Sequence, residues 1–202
     1  MRPQRPPSPT IRAFVAIELP GAVRRALSQA QEGLKPASGN AMRWVNTEGI
    51  HLTLKFLGDI EEARVPEIVS ALEAACAPVP PFNLGLGQTG AFPNPGSPRV
   101  LWVGLTGSLD SLVYLQRRVE DGLKALGFPH EERGFSPHLT LGRVREGIAP
   151  GQRRDIGQAL ARCQVPVVAP FRVDGVALMR SQLTPQGAIY TRLHLVPLGT
   201  QL

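Results

Sequence analysis

Cysteine, long apolar runs and aromatic residues are all scarce in this sequence. The two cysteines, Cys76 and Cys163, are too few for a disulfide framework or a zinc cluster, and neither stands in a Cys-x-x-Cys pair. No apolar run approaches the roughly 18 residues of a membrane-spanning helix. Aromatic residues account for 5% of the chain, which argues against an extended surface for stacking nucleobases. We therefore expect buried free thiols and no membrane partner.

The N-terminal residues 1–10 are rich in proline and arginine and lack the apolar core of a secretory signal. We interpret them as a disordered tail and expect a cytoplasmic protein. Residues 11–202 suffice for one domain, and the 43% of hydrophobic and 19% of charged residues are typical of a globular protein. The net charge of +6 favours a polyanionic partner such as RNA or a nucleotide, although a merely basic surface would give the same value.

One tetrapeptide occurs twice, as His51-Leu52-Thr53-Leu54 and, 87 positions later, as His138-Leu139-Thr140-Leu141. If each copy is a strand, its His and Thr point to one face and its two Leu to the other. Two such strands side by side would place two imidazoles and two hydroxyls around one space. A neutral imidazole accepts a proton, an imidazolium donates one and hydroxyls stabilise an anion, so this set suits phosphoester cleavage without a metal. Either copy alone would more often be an ordinary polar strand face.

Hydrophobic periodicity and turn residues predict alternating strands and helices. The predicted strands are 11–19, 42–45, 50–58, 82–92, 99–105, 138–144, 165–179 and 188–196, and the predicted helices are about 20–35, 61–77, 106–126 and 152–163. Glycines interrupt the strand 82–92, which we expect to be bulged or to lie at a sheet edge.

The two halves of the chain align with each other at the offset that separates the motifs. Arg12 then meets Arg99 and Cys76 meets Cys163, so the repeats 11–92 and 98–180 each contain strand, helix, histidine strand, helix and strand, and 188–196 is a closing strand. This duplication predicts an α+β, bilobal fold with pseudo-twofold symmetry. Two antiparallel sheets would line a central cleft with the helices outside, and both motifs would meet in that cleft.

Two such motifs with their flanking residues resemble the 2H phosphoesterase superfamily, and within it the RNA 2′,3′-cyclic phosphodiesterases, which are also called LigT-like proteins or 2′-5′ RNA ligases. The resemblance extends from residue 11 to about 198 and is carried by RAFVAIELP at 12–20, RWVNTEGIHLTLKFLG at 43–58, PRVLWVGL at 98–105, PHLTLGR at 137–143 and LMRSQLTPQGAIY at 178–190. It implies the bilobal fold and hydrolysis of a terminal 2′,3′-cyclic phosphate to a 2′-phosphate. Run backwards, the same chemistry would join a cyclic phosphate end to a 5′-hydroxyl through a 2′-5′ linkage.

The resemblance also implies roles for the motif residues. His51 is the proton donor to the departing 3′ oxygen, and His138 is the proton acceptor for the attacking water. Thr53 and Thr140 follow each histidine by two residues on the same strand face, so their hydroxyls can donate to the phosphate oxygens. We expect a bell-shaped pH–rate curve that belongs to the coupled pair of imidazoles.

Three further residues are candidates for substrate binding. Lys55 continues the polar face of the first motif strand, so it either meets phosphate or is a solvated charge at the strand end. Arg143 points away from the site under strict alternation, unless a bulge at Gly142 turns it back to pair with phosphate or to stack on a base. Phe14 is either a stacking partner for the terminal base or a core residue.

Three alternatives remain open from the sequence. The protein could bind RNA ends with idle histidines, or it could act on small cyclic nucleotides. A metalloenzyme is the third, and the absence of carboxylates and cysteines around the motifs argues against it. We expect no cofactor and no metal, an RNA with a 2′,3′-cyclic phosphate end as partner, and a monomer.

Overall fold

The computed structural model describes residues 9–132, 134–185 and 187–199, and within these ranges it contains nine β-strands and four α-helices. The strands are β1 (Thr10–Glu18), β2 (Met42–Trp44), β3 (His51–Glu61), β4 (Phe82–Phe92), β5 (Val100–Gly107), β6 (Leu139–Val144), β7 (Phe171–Val173), β8 (Gly175–Thr184) and β9 (Gly187–Pro197). The helices are α1 (Gly21–Ser38), α2 (Val65–Cys76), α3 (Leu109–Lys124) and α4 (Pro150–Arg162). Residues 1–8 of the predicted tail lie outside the described ranges, and β1 already begins at Thr10.

The strands form two antiparallel sheets with the orders β3-β1-β8-β9 and β2-β6-β5-β4-β7, which we call the first and the second sheet. The predicted α+β class with two antiparallel sheets is therefore confirmed. The two halves of the sequence exchange strands, because β4 from the first half pairs with β5 and β8 from the second half pairs with β1. Each sheet consequently contains strands from both halves of the chain.

The core fills the space between the sheets and the helices. Helix α1 buries an apolar stripe formed by Val23, Leu27, Ala30 and Leu34, whose spacing is that of one helix face. Helix α3 buries Leu112, Leu115, Val119 and Leu123 in the same way. The leucines of both tetrapeptides belong to this core, so each motif strand is anchored through its apolar face. Among the described residues, no helix is long and apolar enough to span a bilayer.

One expectation about the strands is wrong. The single predicted strand 165–179 is instead two strands, β7 in the second sheet and β8 in the first. Pro166 and Pro170 lack the N–H group that a sheet ladder requires, so regular pairing begins only at Phe171, and the chain changes sheets at Asp174. For strand β4 the first of the two expected alternatives holds: the strand is irregular, with a register shift between Leu86 and Thr89, and it lies between β5 and β7 rather than at an edge.

Candidate active site

The strands that carry the two tetrapeptides lie beside each other. His51 is the first residue of β3 at the edge of the first sheet, and His138 immediately precedes β6 in the second sheet. Cα atoms of β3 and β6 approach to within 8 Å. The duplication therefore brings both motifs to the region where the two sheets meet.

The two imidazoles have the same backbone hydrogen bond. Nδ1 of His51 lies 2.8 Å from the carbonyl oxygen of Gly49, and Nδ1 of His138 lies 2.7 Å from that of Ser136. A carbonyl only accepts, so the network assigns the proton of each neutral ring to Nδ1. Each Nε2 is then left to accept a proton or, when the ring is charged, to donate one. Gly49 and Ser136 each precede their histidine by two positions, and they are 87 positions apart, as the two histidines are. The two hydrogen bonds are therefore equivalent in the repeat.

Aromatic side chains surround both imidazoles. The ring of His51 lies 4.5 Å from that of Phe14 and 4.9 Å, edge-on, from that of Tyr190. The ring of His138 lies 4.9 Å, edge-on, from that of Phe92, and the Trp102 ring packs on Phe92 at 5.2 Å. These contacts fix the direction of each imidazole plane and limit the water around it.

Burial changes the protonation of His51. Loss of hydration lowers the pKa of His51 below its ordinary value of 6.5, and the hydrogen bond to Gly49 opposes this only in part. Burial also raises the pKa of the Tyr190 phenol, while the positive charge of Arg143 works in the opposite direction. In the free protein at neutral pH, His51 is therefore mostly uncharged.

A β-bulge follows the threonine in both motif strands. In β3, Thr53 and Lys55 face consecutive residues of β1, so Leu54 is the extra residue. In β6, Thr140 and Gly142 face consecutive residues of β5, so Leu141 is the extra residue. Leu54 and Leu141 occupy the same position in the repeat, and both bulges change which side chains face the open side of the strand.

Two buried glutamines bond to the bulge carbonyls across the repeat. Nε2 of Gln31 in α1 donates to the carbonyl oxygens of Leu141 and Val45, each at 2.8 Å. Nε2 of Gln116 in α3 lies 3.5 Å from the carbonyl oxygen of Leu54. Each half of the chain thus supplies a helix that bonds to the motif strand of the other half. We call these two contacts the glutamine braces.

The bulges turn one side chain per strand back to the open face. Arg143 in β6 is exposed, and the bulge that places it on the same face as Thr140 lies at Leu141 rather than at Gly142. Phe56 is the repeat equivalent of Arg143 in β3, and 66% of its surface is exposed beside Phe14, at a ring distance of 6.2 Å. The site therefore combines a guanidinium from one strand with a phenyl ring from the other.

Lys55 does not face phosphate or solvent, which corrects both expectations for this residue. The bulge at Leu54 turns it into the interior, where Nζ donates to a carboxylate oxygen of Glu120 at 2.6 Å and to the carbonyl oxygen of Pro129 at 2.7 Å. Its side chain is 3% exposed. Lys55 consequently ties β3 to α3 and to the segment that precedes His138.

Phe14 does not offer a free ring face to a base, because it is 2% exposed and lies under His51, Tyr190 and Phe56. The sequence reasoning missed Phe56, although its alignment with Arg143 would have indicated it. It also missed Tyr190, which belongs to β9, at the opposite edge of the first sheet from β3, and whose ring nevertheless contacts the ring of His51. Gly49 permits this approach, since a Cβ there would lie 3.1 Å from the tyrosine ring.

Metal ligands are not gathered at this site. Across the described residues, no group of three or more His, Cys, Asp or Glu side chains is close enough together to hold a metal ion. The tetrapeptides themselves contribute only imidazole and hydroxyl groups.

Comparison with known proteins gives consistent matches over nearly the whole chain. The family model described as LigT like Phosphoesterase matches twice, at residues 17–102 and 103–190. The chain is 35% identical over 185 residues to a protein of Methanothermobacter thermautotrophicus named RNA 2′,3′-cyclic phosphodiesterase, covering 92% of this chain and 97% of the relative. A protein of the same name from Thermotoga maritima is 33% identical over 184 residues, covering 91% of this chain and 94% of the relative.

Solved structures agree with these relatives. A crystal structure from Thermus thermophilus superposes with a TM-score of 0.75 at 30% identity, covering 95% of this chain and all of the other. The structure of Escherichia coli LigT complexed with 3′-AMP gives a TM-score of 0.72 at 25% identity, covering 94% of this chain and 99% of the other.

Proposed function

Because the chain belongs to the LigT-like phosphoesterase family, we propose that it hydrolyses the 2′,3′-cyclic phosphate at the 3′ end of RNA to a 2′-phosphate, without a metal. The names of the relatives support the substrate, and the complex of E. coli LigT with 3′-AMP supports a nucleotide at the site. One observation carries the mechanism: both imidazoles are held by the same backbone bond at Nδ1, which leaves two Nε2 atoms for proton transfer.

The proposed reaction is an in-line displacement at phosphorus. His138 Nε2 takes a proton from a water molecule, whose oxygen forms a new bond to phosphorus. The bond between phosphorus and the 3′ oxygen breaks, and His51 donates a proton from Nε2 to that oxygen. The hydroxyls of Thr53 and Thr140 donate to the non-bridging oxygens, on which negative charge increases. The product carries a 2′-phosphate and a 3′-hydroxyl.

The low pKa of His51 fits this scheme only when substrate is bound. The buried ring is mostly neutral in the free protein, so the donor must gain its proton as the phosphodiester arrives. A phosphate anion beside the ring favours the imidazolium, since opposite charges close together stabilise the charged form. Substrate binding and proton uptake by His51 are therefore coupled in this proposal.

The bulge residues supply contacts for the rest of the nucleotide. Phe56 offers an exposed ring to the terminal base, and base–aromatic stacking tolerates any of the four bases. The guanidinium of Arg143 can pair with phosphate or stack on a base plane. A ligase reaction that forms a 2′-5′ link follows from microscopic reversibility. A monomer and a cytoplasmic location stay predictions of the sequence; size-exclusion chromatography tests the first.

Product analysis tests the reaction. A short RNA that ends in a 2′,3′-cyclic phosphate is incubated with the protein in the presence of EDTA, and the product isomers are separated by chromatography. We expect a 2′-phosphate at the same rate as without EDTA. A 3′-phosphate would reverse the assignment of the leaving oxygen, and binding without turnover would instead favour an RNA-end binding module.

A sulfur substitution assigns the two histidines. His51→Ala and His138→Ala should each lower kcat by about 100-fold or more, as is usual for loss of a general acid or base. A cyclic substrate whose bridging 3′ oxygen is sulfur has a leaving group that needs no proton. It should restore turnover to His51→Ala and leave His138→Ala inactive; the opposite pattern would exchange the two roles.

A further inference from the structure

Two arginines stand directly opposite each other on neighbouring strands of the second sheet. Arg43 in β2 and Arg143 in β6 are partners in the antiparallel register. Directly opposed residues place their side chains on the same face, with Cβ atoms about 5 Å apart. Both side chains are exposed, and within the described ranges neither guanidinium forms an ion pair or a hydrogen bond.

The neighbouring register pair shows which face the arginines occupy. Trp44 opposes Gly142, and a Cβ at Gly142 would lie 3.0 Å from the tryptophan ring. Trp44 packs against the hydrophobic core. Side chains alternate along β2, so Arg43 points to the other, open face, which it shares with Arg143. Arg143 in turn lies on the same face of β6 as Thr140, because the extra residue Leu141 shifts the alternation between them. Its charge also favours the ionised phenol of Tyr190 beside His51.

This arrangement is unfavourable for the protein alone. Like charges directly opposite on adjacent strands destabilise a sheet, and no described carboxylate forms an ion pair with either arginine. Two parallel guanidinium groups match the oxygens of a phosphate, which they can bind through several charge-assisted hydrogen bonds. Arg143 follows Thr140 by three residues, so the pair lies up to about 10 Å along the strand from the catalytic hydroxyl. An anion bound by the two arginines would therefore be a second phosphate of the same substrate, at up to about this distance from the phosphate beside Thr140.

We propose that Arg43 and Arg143 form a second anion site, which binds the internucleotide phosphate next to the cyclised terminal nucleotide. This inference rests on the proposed function and narrows its substrate class. The protein then prefers an oligonucleotide end over a mononucleoside 2′,3′-cyclic phosphate, because only the former carries a second phosphate. Arg43 is a binding residue that takes no part in the chemical step.

Three substrates and two matched variants test the site. The substrates are adenosine 2′,3′-cyclic phosphate, the dinucleotide ApA with a 2′,3′-cyclic phosphate, and the same dinucleotide with a neutral methylphosphonate linkage. The variants are Arg43→Gln and the control Arg154→Gln, which removes the same charge from the exposed side of α4, outside the cleft. Steady-state kinetics are measured over a range of salt concentrations.

Arg43→Gln should raise KM for the charged dinucleotide about tenfold, with kcat unchanged, and should not affect the other two substrates. The salt dependence of kcat/KM for the charged dinucleotide should exceed that for the mononucleotide by a slope of about 0.7, and the variant should lose this excess. The thermal midpoint should stay the same or rise, because the repulsion between the arginines is relieved. Arg154→Gln should behave as the wild type.

Equal losses on all three substrates would overturn the inference, and so would no loss on any of them. Failure of the proposed function gives a different result, namely no turnover of any cyclic phosphate by the wild type. In that case, binding of ApA carrying a 2′-phosphate, compared with its methylphosphonate analogue, still tests the anion site. Equal affinity of the wild type for both would reject it.

Discussion

The two catalytic candidates differ in burial although their sequences are duplicates. His51 lies between Phe14 and Tyr190 in the first sheet, whereas among the described aromatic rings His138 has Phe92 edge-on at 4.9 Å and Trp102 farther away at 6.4 Å. The pKa of His51 is lowered by this burial. Duplication therefore supplies two equal groups, and burial favours the neutral form of His51 until an anionic substrate binds beside it.

The burial of His51 should make stability depend on pH. Its folded pKa lies below the unfolded value of 6.5, so the unfolded chain binds more protons and the free energy of unfolding decreases as pH falls from about 6.5 through the folded pKa. Urea unfolding at pH 7.5 and pH 5 should show a smaller loss in His51→Asn than in the wild type. The control is His194→Asn at an exposed position. Equal losses in His51→Asn and the wild type would contradict the neutral buried state.

Phe56 should contribute to affinity rather than to stability. Its ring is 66% exposed, so truncation costs little in the fold, whereas stacking of one base contributes about 1–3 kcal/mol. Phe56→Ala should raise KM for a nucleotide substrate about tenfold at unchanged thermal midpoint. Tyr114→Ala, at an exposed aromatic of α3, is the matched control. An unchanged KM in Phe56→Ala would remove Phe56 from the binding site.

The sequence indicates the motif residues well and their surroundings poorly. The alternation of polar and apolar residues in each tetrapeptide predicts the strand, the anchored leucines and the open His–Thr face. The same alternation misplaces Lys55, because the bulge at Leu54 adds one residue to the strand. No local pattern marks that bulge. It becomes visible through Phe56 and Arg143, which share a repeat position and both face outward only if both strands are bulged.

At the scale of elements, the bulges depend on groups that other elements supply. A bulge leaves a carbonyl outside the sheet ladder, and a buried carbonyl without a partner is costly. The glutamine braces provide donors for Leu54 and Leu141 from helices of the opposite half, and the Leu141 carbonyl also accepts from the backbone N–H of Val45 at 2.9 Å. Lys55 adds a third connection, from β3 to Glu120 and Pro129. The strands that carry the histidines are thus held by long-range polar contacts, which no local sequence pattern predicts.

Removal of the brace from α1 should destabilise the fold. Gln31→Leu leaves the Val45 carbonyl without that donor, whereas the Leu141 carbonyl keeps its bond from the Val45 N–H, so the change should cost about 1–3 kcal/mol of unfolding free energy. Gln158→Leu is the control, since Gln158 is exposed on α4. Chemical denaturation of both variants measures the difference. Equal midpoints for the two variants would show that the bonds of Gln31 contribute nothing.

The ion pair of Lys55 should matter more than an exposed pair of the same type. Lys55→Met leaves the Glu120 carboxylate buried without its cation, which should cost about 3 kcal/mol. Lys35→Met removes a lysine from an exposed pair with Glu32 and should change stability by less than about 1 kcal/mol. The comparison is again made by denaturation. The double variant Lys55→Met/Glu120→Leu should regain most of the loss, and failure to do so would indicate a packing effect.

At the scale of the molecule, the duplication explains why the two motif strands, β3 and β6, lie near each other. The offset of the repeats predicts two similar halves, and the family model indeed matches the chain twice. The repeat does not predict how the halves combine, because pairing between strands of different halves depends on contacts between residues that are far apart in the sequence. Because β4 and β8 are exchanged, each sheet contains strands from both halves of the chain. A rigid relation between the two histidines follows, since neither sheet can form without residues from the other motif's half.

This exchange predicts that neither half folds alone. A fragment that ends at Pro95 lacks β8 and β9 for the first sheet and β5 for the pairing of β4, and the fragment that begins at Gly96 lacks β1, β3 and β4. Each fragment should therefore show no cooperative thermal transition by circular dichroism. An equimolar mixture should recover cooperative unfolding and some turnover of a cyclic phosphate, because the pairing partners are then all present. The intact chain is the reference for both signals. Cooperative unfolding of either fragment by itself would mean that one half is an independent module and that the exchanged strand is dispensable for its core.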